Sequence, residues 1–495
     1  MLRKIRIVTA TVIMVLITAL LLDFTGTLHH WLGWLAKVQF LPALLACNVV
    51  IVCALLLLTM IMGRIYCSVI CPLGIMQDVI SWFAGKHRKN RFTYSGEKRV
   101  LRLVMLGMMV VALIAGAHVI VALLAPYSSY GRIVNSLLQP LYMWGNNLLA
   151  SIAAHYESYA FYGVDVWMKS VTVTAVAAIT LVALGILAWR NGRTYCNTIC
   201  PVGTVLGYVA KFSLLKVRFD ADKCKSCSLC SKNCKASCID YKSHTMDYSR
   251  CVTCGDCVEK CNFGALRYRL ARKSDGKKAA KAESAHDEVR RAVLVGGAIV
   301  AAGAVTAQVN KKVDGGLAAI ADKKEPSRST PLTPPGSLGA HNMATHCTAC
   351  QLCVAQCPNG VLRPSKDLKT LMQPTMNYDR GFCRPECTRC SEVCPTGAIR
   401  EIDQSEKSSL QIGHAVWVKD NCLPAWNGTS CGNCARHCPS GAIMMVPLDE
   451  NDENSPMVPV VNVERCTGCG SCEYVCPSRP FSAIYVEGHE QHRSI

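Results

Sequence analysis

The cysteines of this chain fall into short, evenly spaced groups. There are 31 cysteines among 495 residues, and most of them form six groups of four. The usual spacing is Cys-x-x-Cys-x-x-Cys-x-x-x-Cys, the run that ligates cubane iron–sulfur clusters, whereas zinc is typically held by two separated Cys-x-x-Cys hooks. Disulfide scaffolds are short secreted chains. The spacing therefore predicts six 4Fe–4S clusters and favours them over zinc.

The predicted cluster ligands form two sets, one before residue 262 and one after residue 340. The third group of the second set is unusual, since eight residues separate its first two cysteines. The first set consists of Cys224, Cys227, Cys230 and Cys234, followed by Cys251, Cys254, Cys257 and Cys261. The second set consists of Cys347, Cys350, Cys353 and Cys357; Cys383, Cys387, Cys390 and Cys394; Cys422, Cys431, Cys434 and Cys438; and Cys466, Cys469, Cys472 and Cys476.

A different cysteine motif occurs twice. GRIYCSVICPLG at Gly63–Gly74 and GRTYCNTICPVG at Gly192–Gly203 agree at 8 of 12 positions, and each follows a long apolar run. Cysteines four apart share one side of a helical turn, and disulfides are disfavoured in the cytoplasm. The motif predicts one site, either a seventh metal centre or a redox-active thiol set, with a purely structural role as the alternative. Its residues are Cys67, Cys71, Cys196 and Cys200.

Long apolar runs precede and separate these motifs. Each is near the ~20 residues that a helix needs to cross a bilayer, so we predict four transmembrane helices, with buried soluble helices as the alternative. Cys47 and Cys53 lie in the second run and are expected to be ordinary buried thiols. A fifth, weaker run is Ala292–Val309. The four runs are Ile5–Leu22, Leu41–Met62, Leu103–Ala125 and Val171–Trp189.

The basic residues are distributed as membrane topology requires. Residues 63–102 carry eight Lys and Arg, whereas residues 126–168 carry only Arg132. The positive-inside rule therefore places the N-terminus and residues 63–102 in the cytoplasm. The net charge of +19 arises before the fifth run, since residues 310–495 carry 18 basic and 19 acidic side chains. We expect the final third to lie outside the cytoplasm, and we do not expect a nucleic-acid partner.

The segment before the fifth run contains a basic pair. Arg290 and Arg291, followed by apolar residues, are compatible with an internal twin-arginine export signal or with a simple stop-transfer pair. The proline-rich stretch Glu325–Ser337 is expected to act as a semi-rigid spacer.

These features predict a multi-domain chain with an α-helical membrane domain and small α+β, bacterial ferredoxin-like iron–sulfur domains. The expected boundaries are 1–210 for the membrane domain, 211–275 for a cytoplasmic two-cluster domain, 276–340 for a linker with the fifth helix at about 292–309, and 341–495 for a four-cluster domain. No phosphate-binding or dinucleotide-binding loop is present in the sequence.

The first cluster set resembles a bacterial two-cluster ferredoxin, in which the fourth cysteine of each run serves the other cluster. That resemblance implies that Cys261 completes the first ligand set and that Cys234 completes the second. An additional cysteine, Cys238, leaves open which thiol is the crossing ligand.

The C-terminal part resembles the NapG family, the four-cluster ferredoxins of periplasmic nitrate reductase systems. The resemblance is carried by TPPGS ahead of the first group and by CLPAWNGTSCGNCARHCP as the third. The first half is similar to NapH, the partner membrane subunit, within a wider group that includes NosR and CcoG. The chain thus resembles a natural fusion of both. In relatives with four clusters, the two outer groups pair with each other and the two inner groups pair with each other. This pattern implies that Cys476 joins the first group and Cys357 the fourth. It likewise implies that Cys438 joins the second group and Cys394 the third.

The resemblance implies an inner-membrane protein that takes electrons from quinol, with menaquinol as the expected form, and passes them through 4Fe–4S clusters to an exported reductase. The alternative is an assembly or regulatory ferredoxin of the NosR or CcoG kind, and a third interpretation keeps both ferredoxin domains in the cytoplasm. Whether the chain is itself an enzyme stays open, because no residue is assigned as catalytic. The membrane-region histidines to which no role is assigned are His29, His30, His118 and His155.

Overall fold

A computed structural model gives the fold of residues 2–87, 92–158, 161–220, 222–270, 321–449, 451–452 and 455–494. The fifth apolar run and the pair Arg290 and Arg291 lie outside the described residues. We call residues 2–210 the helical bundle, residues 211–270 the two-cluster module and residues 321–494 the four-cluster module.

The helical bundle contains fourteen α-helices in its described part. A π-helical turn at Val134–Leu138 joins α10 to α11. The helices are α1 (Leu2–Leu22), α2 (Thr27–Leu32), α3 (Trp34–Lys37), α4 (Phe40–Leu45), α5 (Val49–Met62), α6 (Ile65–Val69), α7 (Pro72–His87), α8 (Arg99–Ile114), α9 (His118–Leu124), α10 (Pro126–Ile133), α11 (Gln139–His155), α12 (Val171–Asn191), α13 (Thr194–Thr198) and α14 (Pro201–Ala210).

Two of the four long apolar runs form unbroken helices. Among the described residues, only α1 and α12 are long and apolar enough to cross a membrane. The second run breaks at Cys47, which has a left-handed φ of 51°, and Asn48 then caps α5 by accepting from the Ile51 N–H. The third run breaks at Gly116, with φ 68°. The expectation of one continuous helix was therefore wrong for these two runs.

The two-cluster module is built from short elements. Its outer strands pair antiparallel, with Val217 opposite Tyr268, and they enclose the cysteine loops. Its elements are β1 (Leu215–Phe219), α15 (Leu229–Lys232), β2 (Ile239–Asp240), β3 (Thr245–Met246), α16 (Asp256–Glu259) and β4 (Leu266–Leu270).

The four-cluster module repeats this construction. Three antiparallel pairs, β5 with β6, β8 with β9 and β7 with β10, alternate with single helical turns. The elements are α17 (Ala340–His346), α18 (Leu352–Gln356), β5 (Leu362–Pro364), β6 (Pro374–Met376), α19 (Arg389–Glu392), α20 (Gln404–Ser408), β7 (Leu410–Trp417), α21 (Leu423–Asn427), α22 (Asn433–Arg436), β8 (Ile443–Pro447), β9 (Met457–Val461), α23 (Ser471–Val475) and β10 (Ile484–Ser494).

The first helix reaches from one module to the other. At its start, the Arg3 guanidinium pairs with Asp256 of the two-cluster module at 2.8 Å. Just beyond its end, Gln356 of the four-cluster module donates to the Asp23 carbonyl at 2.6 Å. With 21 residues at 1.5 Å each, α1 is about 31 Å long.

The other long helix makes the same connection in the opposite direction. Before α12 begins, Lys169 Nζ donates to the Val354 carbonyl of the four-cluster module at 3.1 Å. After α12 ends, the Arg193 N–H donates to the Lys235 carbonyl of the two-cluster module at 2.9 Å. The two modules therefore dock at opposite ends of the helical bundle.

The outer surface of the helical bundle is apolar. Ile114 is 81% exposed and Val50 is 78% exposed. Other large apolar side chains are also exposed on α1, α5, α8 and α12. A soluble protein rarely leaves so much contiguous apolar surface uncovered. The side chains that form this surface include Val8, Val12, Val15, Leu57, Ile61, Leu103, Val104, Val111, Ile179, Val182 and Ile186.

Candidate metal centres

The two copies of the repeated motif have the same local structure. Gly63 and Gly192, both with positive φ, end α5 and α12, as glycine commonly ends a helix. A five-residue helix follows in each copy, and Pro72 and Pro201 then begin α7 and α14. Proline suits the first turn because its missing N–H would have no partner there.

Within each copy, the two cysteines lie on either side of a helix break. Cys67 is in α6, whereas Cys71 lies past the end of that helix, and Cys196 and Cys200 are arranged in the same way around the end of α13. The expectation that each pair shares one helical turn was therefore wrong. The proline that begins the next helix follows the second cysteine directly, so the second cysteine lies between two helices in each copy.

All four thiols meet inside the helical bundle, and we call this set the four-thiol centre. Each cysteine is at most 5% exposed. The Cys71 thiol lies within electrostatic range of those of Cys67 and Cys196, and the Cys200 thiol lies within range of the other three. Buried thiols with this mutual proximity suit a metal core, because a metal offsets the cost of packing thiolates together.

Two arginines cross between the motif copies. Arg64 of the first copy donates to the Cys196 carbonyl at 3.1 Å, and Arg193 of the second donates to the Cys67 carbonyl at 2.5 Å. Both side chains are fully buried. Sequence reasoning missed these residues, although the arginine after the glycine in both copies was the available signal. The crossing ties the two halves of the four-thiol centre together.

The last glycine of each motif copy lies against this same backbone. A Cβ at Gly74 would come within 2.3 Å of the Cys67 carbonyl oxygen, and one at Gly203 would come equally close to that of Cys196. No side chain fits there, so the position requires glycine.

Several N–H groups point at the sulfur atoms of the four-thiol centre. Gln77 Nε2 donates to Cys196 Sγ at 3.2 Å, and the Gly203 N–H donates to Cys200 Sγ at 3.4 Å. Hydrogen bonds to sulfur are one of the means by which proteins tune iron–sulfur clusters. This donor set of four thiols, amide N–H groups and guanidinium groups fits a cluster.

A buried carboxylate connects the four-thiol centre to the two-cluster module. Asp78 pairs with Arg6 and Arg193 at 2.8 Å each and with Lys235 at 3.6 Å. Burial alone would raise the pKa of Asp78, but the charges of Arg193 and Lys235 outweigh it and hold the pKa well below its usual range. Asp78 is therefore ionised and fixes the two-cluster module to the helical bundle.

The two-cluster module gathers its cysteines into two sets of four. Cys261 approaches the first group, and Cys234 approaches the second, as the ferredoxin resemblance implies. Cys238 Sγ lies 3.6 Å from Cys234 Sγ, and the Cys238 thiol also forms a hydrogen bond with the Cys251 thiol. The structure thus places both candidate crossing thiols at the second set.

The four-cluster module pairs its groups differently from the expectation. Cys394 approaches the first group, and Cys357 approaches the second. Cys476 similarly joins the third group, and Cys438 joins the fourth. The expected pairing of outer with inner groups was wrong, because neighbouring groups are linked by the short hairpins β5–β6 and β8–β9, which fold them against each other.

Without a metal, several of these thiols resist ionisation. Burial raises the pKa of Cys230 and of Cys434 to about 11 and that of Cys350 to about 12. Iron must therefore supply the positive charge that stabilises the thiolates, which couples cluster binding to folding.

Within the described ranges, no group of three or more His, Cys, Asp or Glu side chains converges on a single-ion geometry.

The remaining candidates lie away from these sets or differ from expectation. Cys47 and Cys53 are exposed on the helical bundle, so the expectation that they are buried was wrong. His118 Nε2 lies 2.9 Å from the Leu371 carbonyl oxygen of the four-cluster module. His29 and His30 are on α2, and His155 ends α11.

Three family models match the chain. A model described as a 4Fe-4S binding domain matches residues 47–91 and 172–220, the stretches that contain the repeated motif. A model described as a 4Fe-4S dicluster domain matches residues 346–398 and 429–479, in agreement with the neighbouring pairing of groups. A second dicluster model matches residues 247–361.

Relatives of known name are similar over parts of the chain. The putative electron transport protein YccM of Escherichia coli is 24% identical over 48% of this chain and 60% of its own length. The ferredoxin-type protein NapH of the same organism is 24% identical over 40% of the chain and 59% of its own length. The methylamine utilization ferredoxin-type protein MauM of Paracoccus denitrificans is 33% identical over 32% of the chain and 73% of its own length. The chain thus spans about 60% of YccM and NapH, and no solved structure matches it.

Proposed function

Because the chain belongs to the family of ferredoxin-type iron–sulfur proteins that includes MauM and NapH, we propose that it carries electrons from quinol to an extracytoplasmic reductase. The chain is an iron–sulfur electron-transfer protein with several 4Fe–4S sites. We assign six clusters to its two ferredoxin modules, with residues 1–210 in the membrane, residues 211–275 in the cytoplasm, residues 276–340 as the linker and residues 341–495 outside.

The observation that carries this proposal is the placement of the two modules. Arg3 and Arg193 fix the two-cluster module to one end of the helical bundle, and Asp23 and Lys169 fix the four-cluster module to the other. α1, at about 31 Å, matches the ~30 Å thickness of a bilayer core. An electron carrier that serves two sides of a membrane needs this arrangement.

Lipid is the environment that suits the helical bundle. Its exposed apolar side chains would be costly in water, and hydrocarbon would cover them at no such cost. The basic residues cluster at the end that holds the two-cluster module, as the positive-inside rule requires of the cytoplasmic end. This placement supports a multi-pass protein with its final third outside the cytoplasm.

A lipid-soluble quinol can reach a protein in this position, and an exposed ferredoxin module can pass single electrons to a redox partner. The cluster residues supply ligation and spacing, while iron and sulfide carry the electrons. The alternative, an assembly or regulatory factor, uses the same clusters to reduce a metal or to mature a partner. The length of the relay, six clusters in two modules, favours continuous electron flow.

The test is quinol oxidation by the purified full chain in lipid nanodiscs. We expect a menaquinol analogue to reduce the clusters, seen as bleaching of their visible absorbance and as low-temperature EPR signals. Dithionite reduction of the same sample gives the total reducible signal. Full reduction by dithionite with none by the quinol analogue would contradict the proposal and favour the assembly role.

A further inference from the structure

A protein with a ferredoxin module at each end needs a route by which an electron passes through the helical bundle between them. Two separate modules on opposite sides of an insulating layer could not exchange electrons directly. The four-thiol centre lies between them, and its surroundings on both sides indicate the route.

On one side, the four-thiol centre contacts the two-cluster module through Arg64. Its Nη1 donates to the Ser249 carbonyl at 3.1 Å, two residues before the ligand Cys251, and its Nη2 lies 3.7 Å from Cys67 Sγ. Arg64 is also within electrostatic range of the Cys251 thiol. One fully buried side chain thus bridges a cluster loop of the module and the four-thiol centre.

On the other side, α10 connects the four-thiol centre to the first group of the four-cluster module. Tyr195, next to Cys196 in the motif, lies within electrostatic range of the thiols and of Arg132 on α10. Arg132 in turn lies within range of the Cys350 thiol. The backbone is closest at Gly131, where a Cβ would come within 2.4 Å of the Cys350 carbonyl oxygen.

These contacts belong to one continuous buried core. That core contains the four-thiol centre and also Cys347, Cys350 and Cys353 of the four-cluster module, and Cys254 of the two-cluster module packs against it. Closely packed protein therefore runs from one module, through the four thiols, to the other.

The charges around the four-thiol centre suit an iron–sulfur cluster. A thiolate-ligated cluster is anionic, and its potential depends on net charge and on hydrogen bonds to sulfur. Arg64 and Arg193 supply two buried positive groups, of which one is partly balanced by Asp78. A disulfide relay would instead have to exchange protons at these buried thiols, whose nearest polar neighbours are guanidinium, amide and phenol groups.

We propose that the four-thiol centre holds a seventh iron–sulfur cluster that conducts electrons through the helical bundle between the two ferredoxin modules. In each transfer, one electron leaves a reduced cluster of the two-cluster module, reduces the seventh cluster and then reduces the first cluster of the four-cluster module. No bond forms or breaks and no proton moves in these steps. The inference rests on the proposed function for the sidedness of the modules, not for the identity of the electron donor.

The first measurement is the iron content of the purified full chain. Seven 4Fe–4S clusters correspond to about 28 iron atoms per chain, and six correspond to about 24. We expect the larger number, with a loss of about 4 iron atoms in each of the variants C67S, C71S, C196S and C200S. The variant C53S, which removes an exposed thiol of α5, is the matched control and should keep the parental value.

The second measurement uses inside-out membrane vesicles and dithionite as a membrane-impermeant reductant. In the parent and in C53S, we expect the clusters of both modules to become reduced within the same time course, as followed by their EPR signals. In the four Cys-to-Ser variants, we expect the two-cluster module to be reduced as in the parent. The four-cluster module should be reduced at least tenfold more slowly. Double variants should lose no more than single ones, because all four thiols act as one unit.

About 24 iron atoms in the well-folded parent would overturn the proposal, whatever the variants do. Unchanged reduction of the four-cluster module in all four single variants would also overturn it. If the quinol analogue fails to reduce the clusters but dithionite electrons still reach the four-cluster module, quinol is not the donor and the proposal of a seventh cluster is unaffected. The two proposals can therefore fail separately.

Discussion

The four-cysteine sets of the two ferredoxin modules and the four-thiol centre are assembled in different ways. Each ferredoxin ligand set draws on cysteine groups that are neighbours in the sequence and fold against each other through a short hairpin, such as β5–β6. The four-thiol centre joins two segments whose crossing contact, from Arg64 to Cys196, spans 132 residues. A local site can fold around its own metal, whereas a long-range site depends on the packing of the entire helical bundle.

Removal of iron should give the largest difference in stability between the ferredoxin modules and the helical bundle. Chelation under oxidising conditions should unfold both modules, whose cores are largely cysteine loops, because cluster binding is part of their folding energy. The helical bundle contributes many apolar side chains of its own to the buried core, such as Ile17, Leu20 and Leu184, and should keep its helices. Circular dichroism and limited proteolysis should show a protected fragment near residues 2–210; loss of all helicity would contradict this distinction.

Disruption of one local ligand set should cost one cluster. The variants C347S and C394S should each lose about 4 iron atoms, and the double variant should lose no more, since both thiols serve the same cluster. Combining C347S with C476S should instead remove two clusters. Iron analysis of these double variants tests the neighbouring pairing, and additivity of C347S with C394S would refute it.

Asp78 holds the long-range site together, so its loss should weaken that site specifically. The variant D78A removes the carboxylate that pairs with the buried Arg6 and Arg193, whereas Lys235 keeps its partner Asp256, and should cost about 3–5 kcal/mol of stability. Thermal unfolding of the full chain measures this cost, with D165A at an exposed position as the control. A shift in D78A no larger than in D165A would show that this carboxylate is dispensable.

A smaller effect is expected from filling the space beside the motif backbone. The variant G203A forces a Cβ against the Cys196 carbonyl and should destabilise the helical bundle by about 1–3 kcal/mol. The variant G185A, in α12, is the control because no atom lies within 4 Å of the position that its added methyl group would occupy, and Ala suits a helix better than Gly. Equal melting temperatures for the two variants would argue against a rigid motif.

The smallest effect concerns pH and the four-cluster module alone. Burial lowers the pKa of His492 to about 4, while an unfolded histidine titrates near ~6.5. Its neutral form is therefore favoured by folding: the contribution is complete above pH ~6.5 and is lost as pH falls towards 4. We expect H492Q to flatten the pH dependence of unfolding in this window by about 1–2 kcal/mol, a value reduced for the partial exposure of the ring. An unchanged profile, matching that of the exposed control H341Q, would exclude this role.

The sequence predicted the local features well and the long-range ones only in part. Cysteine spacing predicted the groups that the structure gathers into sets of four, since an iron–sulfur core fixes how far apart nearby ligands can be. It could not reveal that Cys394 rather than Cys476 approaches the first group, because that choice depends on which hairpin brings two groups together. The breaks at Cys47 and Gly116 were also hidden, because apolar composition reports burial or lipid contact but not helix continuity.

The sequence by itself determined the iron–sulfur chemistry, the apolar runs and the duplicated motif, since these depend on residue type and short-range spacing. Only the tertiary structure decided that Arg64 and Arg193 cross between the copies, that Asp78 joins three elements and that the modules occupy opposite ends. Those relations arise from the packing of helices that lie far apart in the chain. Such packing depends on the summed burial of many side chains, which no single stretch of sequence specifies.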